Sequence, residues 1–279
     1  MTIFRNFDYM QRLAFLLLSL SASFLWAQEP LSRLAGARSA ALAHSTVALS
    51  DGGSAFHNQA ASAFLNEDVL FLGYQNRYFL SDLQLGQGAY LLARDWGTVG
   101  FNVSYFGASL YNQSKVGLSY ARAFGDFLAL SLQLNYQSSF VSEASQLEAF
   151  TFETGVLLRP SDKLSLGFHV YNPDGQQWNG EGEQALPTYG RLGFLYEFDE
   201  RSFLSGEIAS DLNTPSRYAI GFEYRIWEQI AFRTGLGYAA DGFASTGLGF
   251  HLNSLKFNLA YQYDFMLGNN AVIGLQWAF

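Results

Sequence analysis

The sequence predicts an all-β protein, a transmembrane antiparallel β-barrel of about 14 strands with an N-terminal hatch in the lumen. Three observations carry this expectation. The segment Ile273-Gly274-Leu275-Gln276-Trp277-Ala278-Phe279 places a large apolar residue at every second position, with Gly, Gln and Ala between them. Successive side chains of a strand point to opposite faces, so one face is greasy and the other small or polar. That suits a strand set between lipid and the interior of a barrel. The same alternation recurs along the chain from about residue 68, roughly once every dozen residues. Finally, aromatic residues make up 17% of the chain and charged residues only 14%, against roughly 25% charged in an ordinary soluble domain. The mean hydropathy of +0.04 is too low for a helical membrane protein. It suits a barrel, in which apolar and polar positions cancel. A soluble β-sandwich is the competing fold, but it needs a second packed layer over each apolar face.

Taken in order, the chain opens with Arg5 and Arg12, followed by a mostly apolar run from Leu13 to Trp26. The run is too short to span a bilayer. With Ala27-Gln28 as a cleavage point, residues 1–27 read as a signal peptide. The chain has no Cys, so lipid attachment through Cys, disulfides and thiol-based zinc or nucleophile chemistry are excluded. The net charge of −8 argues against nucleic acid as a partner.

Residues 67–279 read as the barrel. Val99 to Tyr105, Leu128 to Tyr136, Phe150 to Leu158, Leu164 to Val170, Leu192 to Phe198, Tyr218 to Ile226, Ile230 to Tyr238 and Leu255 to Phe265 all alternate. The stretches 68–79 and 83–94 alternate less cleanly. The expected strands are roughly nine to twelve residues long, enough for a tilted crossing. Tight turns at 94–97, 125–126, 161–162, 199–200, 227–228 and 253–254 alternate with longer links at 108–114, 138–146, 172–187, 211–215 and 266–270. An outer-membrane barrel has this rhythm, and an even strand count places both termini in the periplasm.

Residues 28–66 break the rhythm. They are rich in Ala and Gly and poor in charge, and small residues let backbones approach closely. The segment reads as a hatch folded into the lumen. Gly36-Ala37-Arg38-Ser39-Ala40-Ala41-Leu42, then Val47 to Asp51, then Ala55-Phe56-His57-Asn58-Gln59-Ala60-Ala61 resembles the N-terminal signature of the PorV/PorQ family. That family is a Bacteroidetes branch of FadL-like barrels. Ala43-His44 stands where the family has Gly-Gly, and Gln59 where it has Pro. The resemblance implies a fourteen-stranded barrel with a hatch. It also implies one of two roles, either passage of hydrophobic molecules or accessory work in type IX protein secretion.

The inferred lumen face carries Lys115, Glu153, Arg159, His169, Arg191, Glu197, Glu207, Arg217, Glu223, Arg225, Arg233, His251, Lys256 and Asp264. Charges facing lipid are costly, so these must point inward. They read as an ion-paired filling that holds the hatch. A polar conduction path and a specific ligand site are the other readings of the same charges. Within the hatch the expected key residues are Gly36, Ala37, Arg38, Asp51, His57 and Asn58. Arg38 is expected against Glu153, Glu197, Glu207 or Glu223, and Asn58 is expected to turn the chain ahead of the first strand. The four His (44, 57, 169, 251) show neither catalytic nor metal-ligand spacing. Gly86-Gln87-Gly88 and Gly247-Leu248-Gly249 read as inward small residues that make room for the hatch, not as cofactor loops. No cofactor is implied. Trp178, in a polar loop, is either a partner contact or packed on its own loop.

These readings lead to a non-enzymatic outer-membrane barrel. Its expected partners are outer-membrane lipid and other outer-membrane or secretion-machinery proteins, in an accessory role in protein export or surface assembly. The alternative is a FadL-like channel for small hydrophobic molecules.

Overall fold

A computed structural model describes residues 35–142, 146–179, 186–211 and 215–279. The expected signal peptide and residues 28–34 lie outside the described residues. Fourteen strands form one closed antiparallel barrel in simple up-and-down order. They are β1 (Val69–Arg77), β2 (Gln84–Arg94), β3 (Gly97–Gly107), β4 (Tyr111–Phe124), β5 (Leu128–Val141), β6 (Leu147–Ser161) and β7 (Leu164–Tyr171). The second half comprises β8 (Tyr189–Asp199), β9 (Ser202–Asp211), β10 (Arg217–Trp227), β11 (Ile230–Tyr238), β12 (Gly242–Leu252), β13 (Leu255–Asp264) and β14 (Gly268–Ala278). β1 closes on β14, with Val69 opposite Ala278 and Gly73 opposite Gly274. Closure leaves no unpaired edge, which is what a sheet crossing hydrocarbon requires.

The two faces of the wall are inverted relative to a soluble barrel. Leu118, Leu132, Leu134 and Leu192 face outward and are exposed, while Asn102, Ser119, Gln133 and Asn135 face inward and are buried. An apolar exterior around a polar interior is stable only with lipid outside. The outward stripe includes Phe194 and Leu259, whereas Ala260 is buried inside.

The rim that holds the start of β1 and the end of β14 is called here the terminal rim. There the strands are joined by short turns, and the longest connection, 172–188, is at the far rim. Two features differ from expectation. β4, β5 and β6 have 14, 14 and 15 residues, because the ladder continues from Tyr111–Ser114 onto Ser138–Val141. Within the links expected at 108–114 and 138–146, residues 111–114 and 138–141 are therefore strand, and 143–145 lie outside the described residues. Gly86 and Gly88 do not face the lumen. Gly88 pairs with Leu72 and Val103, both exposed, so these glycines face lipid.

The N-terminal segment forms a short helix α1 (Gly36–Ala41), a single turn α2 (Ser54–His57) and a 3₁₀ turn over Gln59–Phe64. The Asn58 side chain caps the last of these by accepting from Ala60 N. From Ala35 to Leu49 and from Ala55 to Ala61, most residues are buried. Their company is the inner wall. A methyl group on Gly73 would lie 3.2 Å from Gly36 Cα, and one on Gly235 would lie 2.6 Å from Ala43 N. Gly221 and Gly247 meet Leu42 and Ala41 in the same way. Glycine on the inner wall is thus a steric requirement for admitting this segment.

Candidate functional site

Three buried carboxylates organise the lumen, each on a different arc of the wall. The first is Glu153 on β6. It accepts from Lys115 Nζ at 2.8 Å, Asn135 Nδ2 at 3.0 Å, Gln133 Nε2 at 3.2 Å and Gln59 Nε2 at 3.0 Å, with His169 Nε2 at 3.0 Å. Four of these partners belong to strands, while Gln59 reaches in from the N-terminal segment. Lys115 also lies 5.6 Å from the Tyr171 ring centroid, and Tyr171 accepts a short hydrogen bond from Gln137. A buried carboxylate is tolerated only when its charge and lone pairs are satisfied, and Glu153 meets that condition.

The second carboxylate is Glu207 on β9. Arg191 grips it in bidentate fashion at 2.8 and 2.9 Å, and Arg217 adds a bond at 2.8 Å. Glu207 Oε2 also accepts from the backbone N–H of Thr46 and Val47 at 3.0 and 2.9 Å. The two arginines then donate back to segment carbonyls, Arg191 to His57 and His44, and Arg217 to Ala43 and His44. Backbone on the inner side of a barrel must find partners, and here the wall supplies them.

The third is Glu223 on β10. Arg38 of α1 holds it with parallel bonds of 2.8 and 2.9 Å, and Arg233 donates from the other side. Arg38 also donates to Asp51 at 3.1 Å. His57 Nε2 lies 3.7 Å from Asp51 Oδ1. Burial pushes the Asp51 carboxyl up, but the imidazole and the Arg38 guanidinium outweigh it and hold the group well below the usual carboxylate range. Burial pushes the His57 imidazole down, and neighbouring Asp51 raises it by less. Burial would also lower Arg38, but its two carboxylates hold it fully charged.

Most of the charges expected inside are placed there by the structure, but their roles differ. Arg159 lies over the Phe64 ring at 3.7 Å and donates to Ser50 at 3.2 Å. Arg225, His251 and Lys256 are half-buried near the terminal rim. Two residues depart from expectation. Glu197 is exposed at the rim, where the β8–β9 register shifts. Asp264 is half-buried and accepts from Met266 N and Leu267 N at 3.0 and 2.9 Å, so it ties down a turn, and among the described residues it makes no ion pair. Trp178 is not an exposed contact either. It is buried against Ala149 and Leu186, because Asn179 bridges to Glu148 and folds the loop onto the barrel mouth. Sequence reasoning missed Gln59, Gln133 and Asn135 as Glu153 partners. It also missed the glycines at 73, 221, 235 and 274. Their inward strand positions were the available signal.

At the far mouth, inward Leu85 packs with Phe106 on one side, and Ala149 packs with Trp178, Leu186 and Leu147 on another. Among the described residues no group of His, Cys, Asp and Glu has the arrangement of a metal site.

The fold and lumen define a closed fourteen-stranded membrane barrel with its N-terminal segment packed against the inner wall. The sequence matches no family model and no curated protein. Among solved structures, the chain is similar to the toluene transporter TodX of P. putida, with a TM-score of 0.69 at 12% identity over 90% of this chain and 99% of that one. It is similar to a Pseudomonas aeruginosa FadL homologue, at 0.67 and 14% over 88% and 98%. It is also similar to the CymD monoaromatic hydrocarbon channel, at 0.67 and 11% over 88% and 97%. The chain therefore has the fold of FadL-like outer-membrane barrels. No likeness specific to PorV/PorQ accompanies it.

Proposed function

We propose that this protein is a channel for small hydrophobic molecules across a bacterial outer membrane, with the terminal rim in the periplasm and residues 35–66 as a hatch. The observation that carries the reading is the apolar packing at the far mouth. Two separate apolar clusters, Leu85 with Phe106 and Ala149 with Trp178 and Leu186, lie at the far rim of a barrel whose middle wall is polar. An apolar entrance above a non-covalently held plug suits a hydrophobic cargo. The fold likeness to barrels named as hydrocarbon channels supports this reading over the accessory one. Its test is uptake of radiolabelled toluene by cells producing the protein. Uptake is expected above that of cells without it and should fall with Trp178→Ala. Uptake equal to that of cells lacking the protein overturns the reading.

One observation favours a second reading, an accessory barrel for protein export or surface assembly. Lys115, Glu153, Arg191 and Glu207 are all buried in ion pairs, so the lumen around them is filled in this state. Purification from native membranes with identification of co-purifying secretion proteins separates the two readings.

A further inference from the structure

Arg225, His251 and Lys256 lie within two residues of the strand ends at Trp227, Leu252 and Leu255. All three alternate in phase with inward residues: Arg225 follows buried Glu223 on β10, and Lys256 precedes buried Asn258 on β13. His251 and Lys256 face one another directly across the β12–β13 ladder. All three are partly accessible, so solvent reaches them from the terminal rim.

Their charge is not balanced locally. Arg225 Nε is buried without a hydrogen-bond partner. Among the described residues, neither the Arg225 nor the Lys256 side chain makes an ion pair. Lys256 lies within electrostatic reach of Arg38, Arg225, Asp51 and Glu223. His251 lies within reach of Lys256, Arg38, Arg233 and Glu223. Arg38, Arg225, Arg233 and Lys256 are the cations named among these neighbours, and Glu223 and Asp51 are the carboxylates. Both carboxylates are already engaged by Arg38, and Glu223 also by Arg233. Arg225 and Lys256 are thus left without a carboxylate of their own, in a chain whose net charge is −8. Partly desolvated cations left uncompensated are costly, so the arrangement calls for a counter-anion.

We infer that the terminal-rim end of the lumen is an oxyanion site, built by Arg225, Lys256 and His251, that takes a phosphate dianion. A guanidinium fork, an ammonium and an imidazole supply charge-assisted donors suited to phosphate oxygens. A dianion matches the two cations that make no ion pair, Arg225 and Lys256. The same phosphate chemistry can come from free phosphate or from the monoester headgroup of a lipid. The site is independent of hydrocarbon passage, and its test reads anion binding alone.

The test is titration calorimetry of the full chain in non-ionic detergent at low ionic strength, with inorganic phosphate as the probe and chloride as the control. A parallel arm uses nanodiscs containing phosphatidic acid or only phosphatidylcholine. Saturable phosphate binding is expected, weakened about tenfold or more in the Arg225→Gln/Lys256→Gln double variant and unchanged in Arg201→Gln, an exposed arginine on the same rim. Binding confined to phosphatidic acid assigns the site to a headgroup, and binding of free phosphate assigns it to the solvent anion. Barrel integrity is read from the mobility of the unheated protein on gels. A second variant, Lys256→Glu, reverses one charge and should abolish binding while the barrel stays folded. Absence of binding to either probe overturns the proposal. So does equal binding by the double variant, which reveals an adventitious ion only.

Discussion

Arg38 and Glu223 stand 185 positions apart in the chain and meet through two parallel hydrogen bonds inside the barrel, at 2.8 and 2.9 Å. Such bidentate pairs are directional as well as strong. The pair fixes α1 against one arc of the wall, and Asp51 ties the next turn to the same guanidinium.

Removing Arg38 leaves Glu223 with Arg233 alone and leaves Asp51 with the N–H of Gly53 and with His57 at 3.7 Å. Breaking a buried pair from one side costs about 3–5 kcal/mol. Arg38→Ala should therefore undock the segment while the barrel stays assembled. The expected readouts are larger single-channel conductance in planar bilayers and faster proteolysis between residues 35 and 66. Conductance equal to that of the parent protein would show that the segment does not plug the lumen.

Acid should loosen the same contact. The His57 imidazole and the Asp51 carboxyl are both depressed in the folded state. A depressed group stabilises the fold above its unfolded pKa, and that stability is lost as pH falls. The loss should begin below about pH 6.5 for His57, with a second loss below about pH 3.9 for Asp51. His57→Gln should flatten the first step and leave the second, as read by proteolytic protection across pH. An unchanged first step would exclude His57 as its source.

Ala43 and His44 adopt φ of 52° and 62°, the left-handed region that disfavours residues with a Cβ. The resembled family pattern has Gly-Gly at these positions. Ala43→Gly should relieve about 1 kcal/mol of strain and slow proteolysis of the segment. His44 is held by Gln262 at 3.1 Å, so His44→Gly should gain less. Faster cleavage of Ala43→Gly would mean that the backbone there is not under strain.

Neighbours on β13 should respond to Arg in different ways. Leu259 faces lipid, and Leu259→Arg should destabilise the barrel by roughly 2–4 kcal/mol in urea unfolding from bilayers. Ala260 packs inward with Ala37, Ala40, Ala41 and Val272. Ala260→Arg is therefore not benign, as face assignment alone would suggest. It should spare membrane insertion but expel α1, seen as a conductance gain. Matching effects at both positions would contradict the face assignment.

The barrel was legible because lipid imposes a strict period of two on every membrane-crossing strand. Leu259 against Ala260 shows this directly. Beyond the membrane band that constraint ends, so Tyr111–Ser114 read as loop although they continue the ladder. That the N-terminal segment packs was legible from its small residues, and a carboxylate for Arg38 from charge. Which carboxylate it would be was not, because pairing across the lumen depends on the stagger of the barrel and on where α1 rests. Gln59 was noticed only as a departure from a motif, and its role appears only when Glu153 is placed beside it. Trp178 is buried through a bridge between Asn179 and Glu148, and nothing local in the sequence records that partner.

The paired glycines at the β1–β14 seam have a kinetic consequence. Gly73 and Gly274 are opposite one another, and the backbone of Gly36 and Ala37 lies against both. A ring of strands must bring its first and last members together, and the entropy cost of that closure rises with the intervening chain. A segment that touches both members before they pair shortens the search. Residues 36 and 37 thus sit where the first and last strands join, and bulkier side chains at Gly73 or Gly274 are expected to slow closure of the ring as well as to displace the segment.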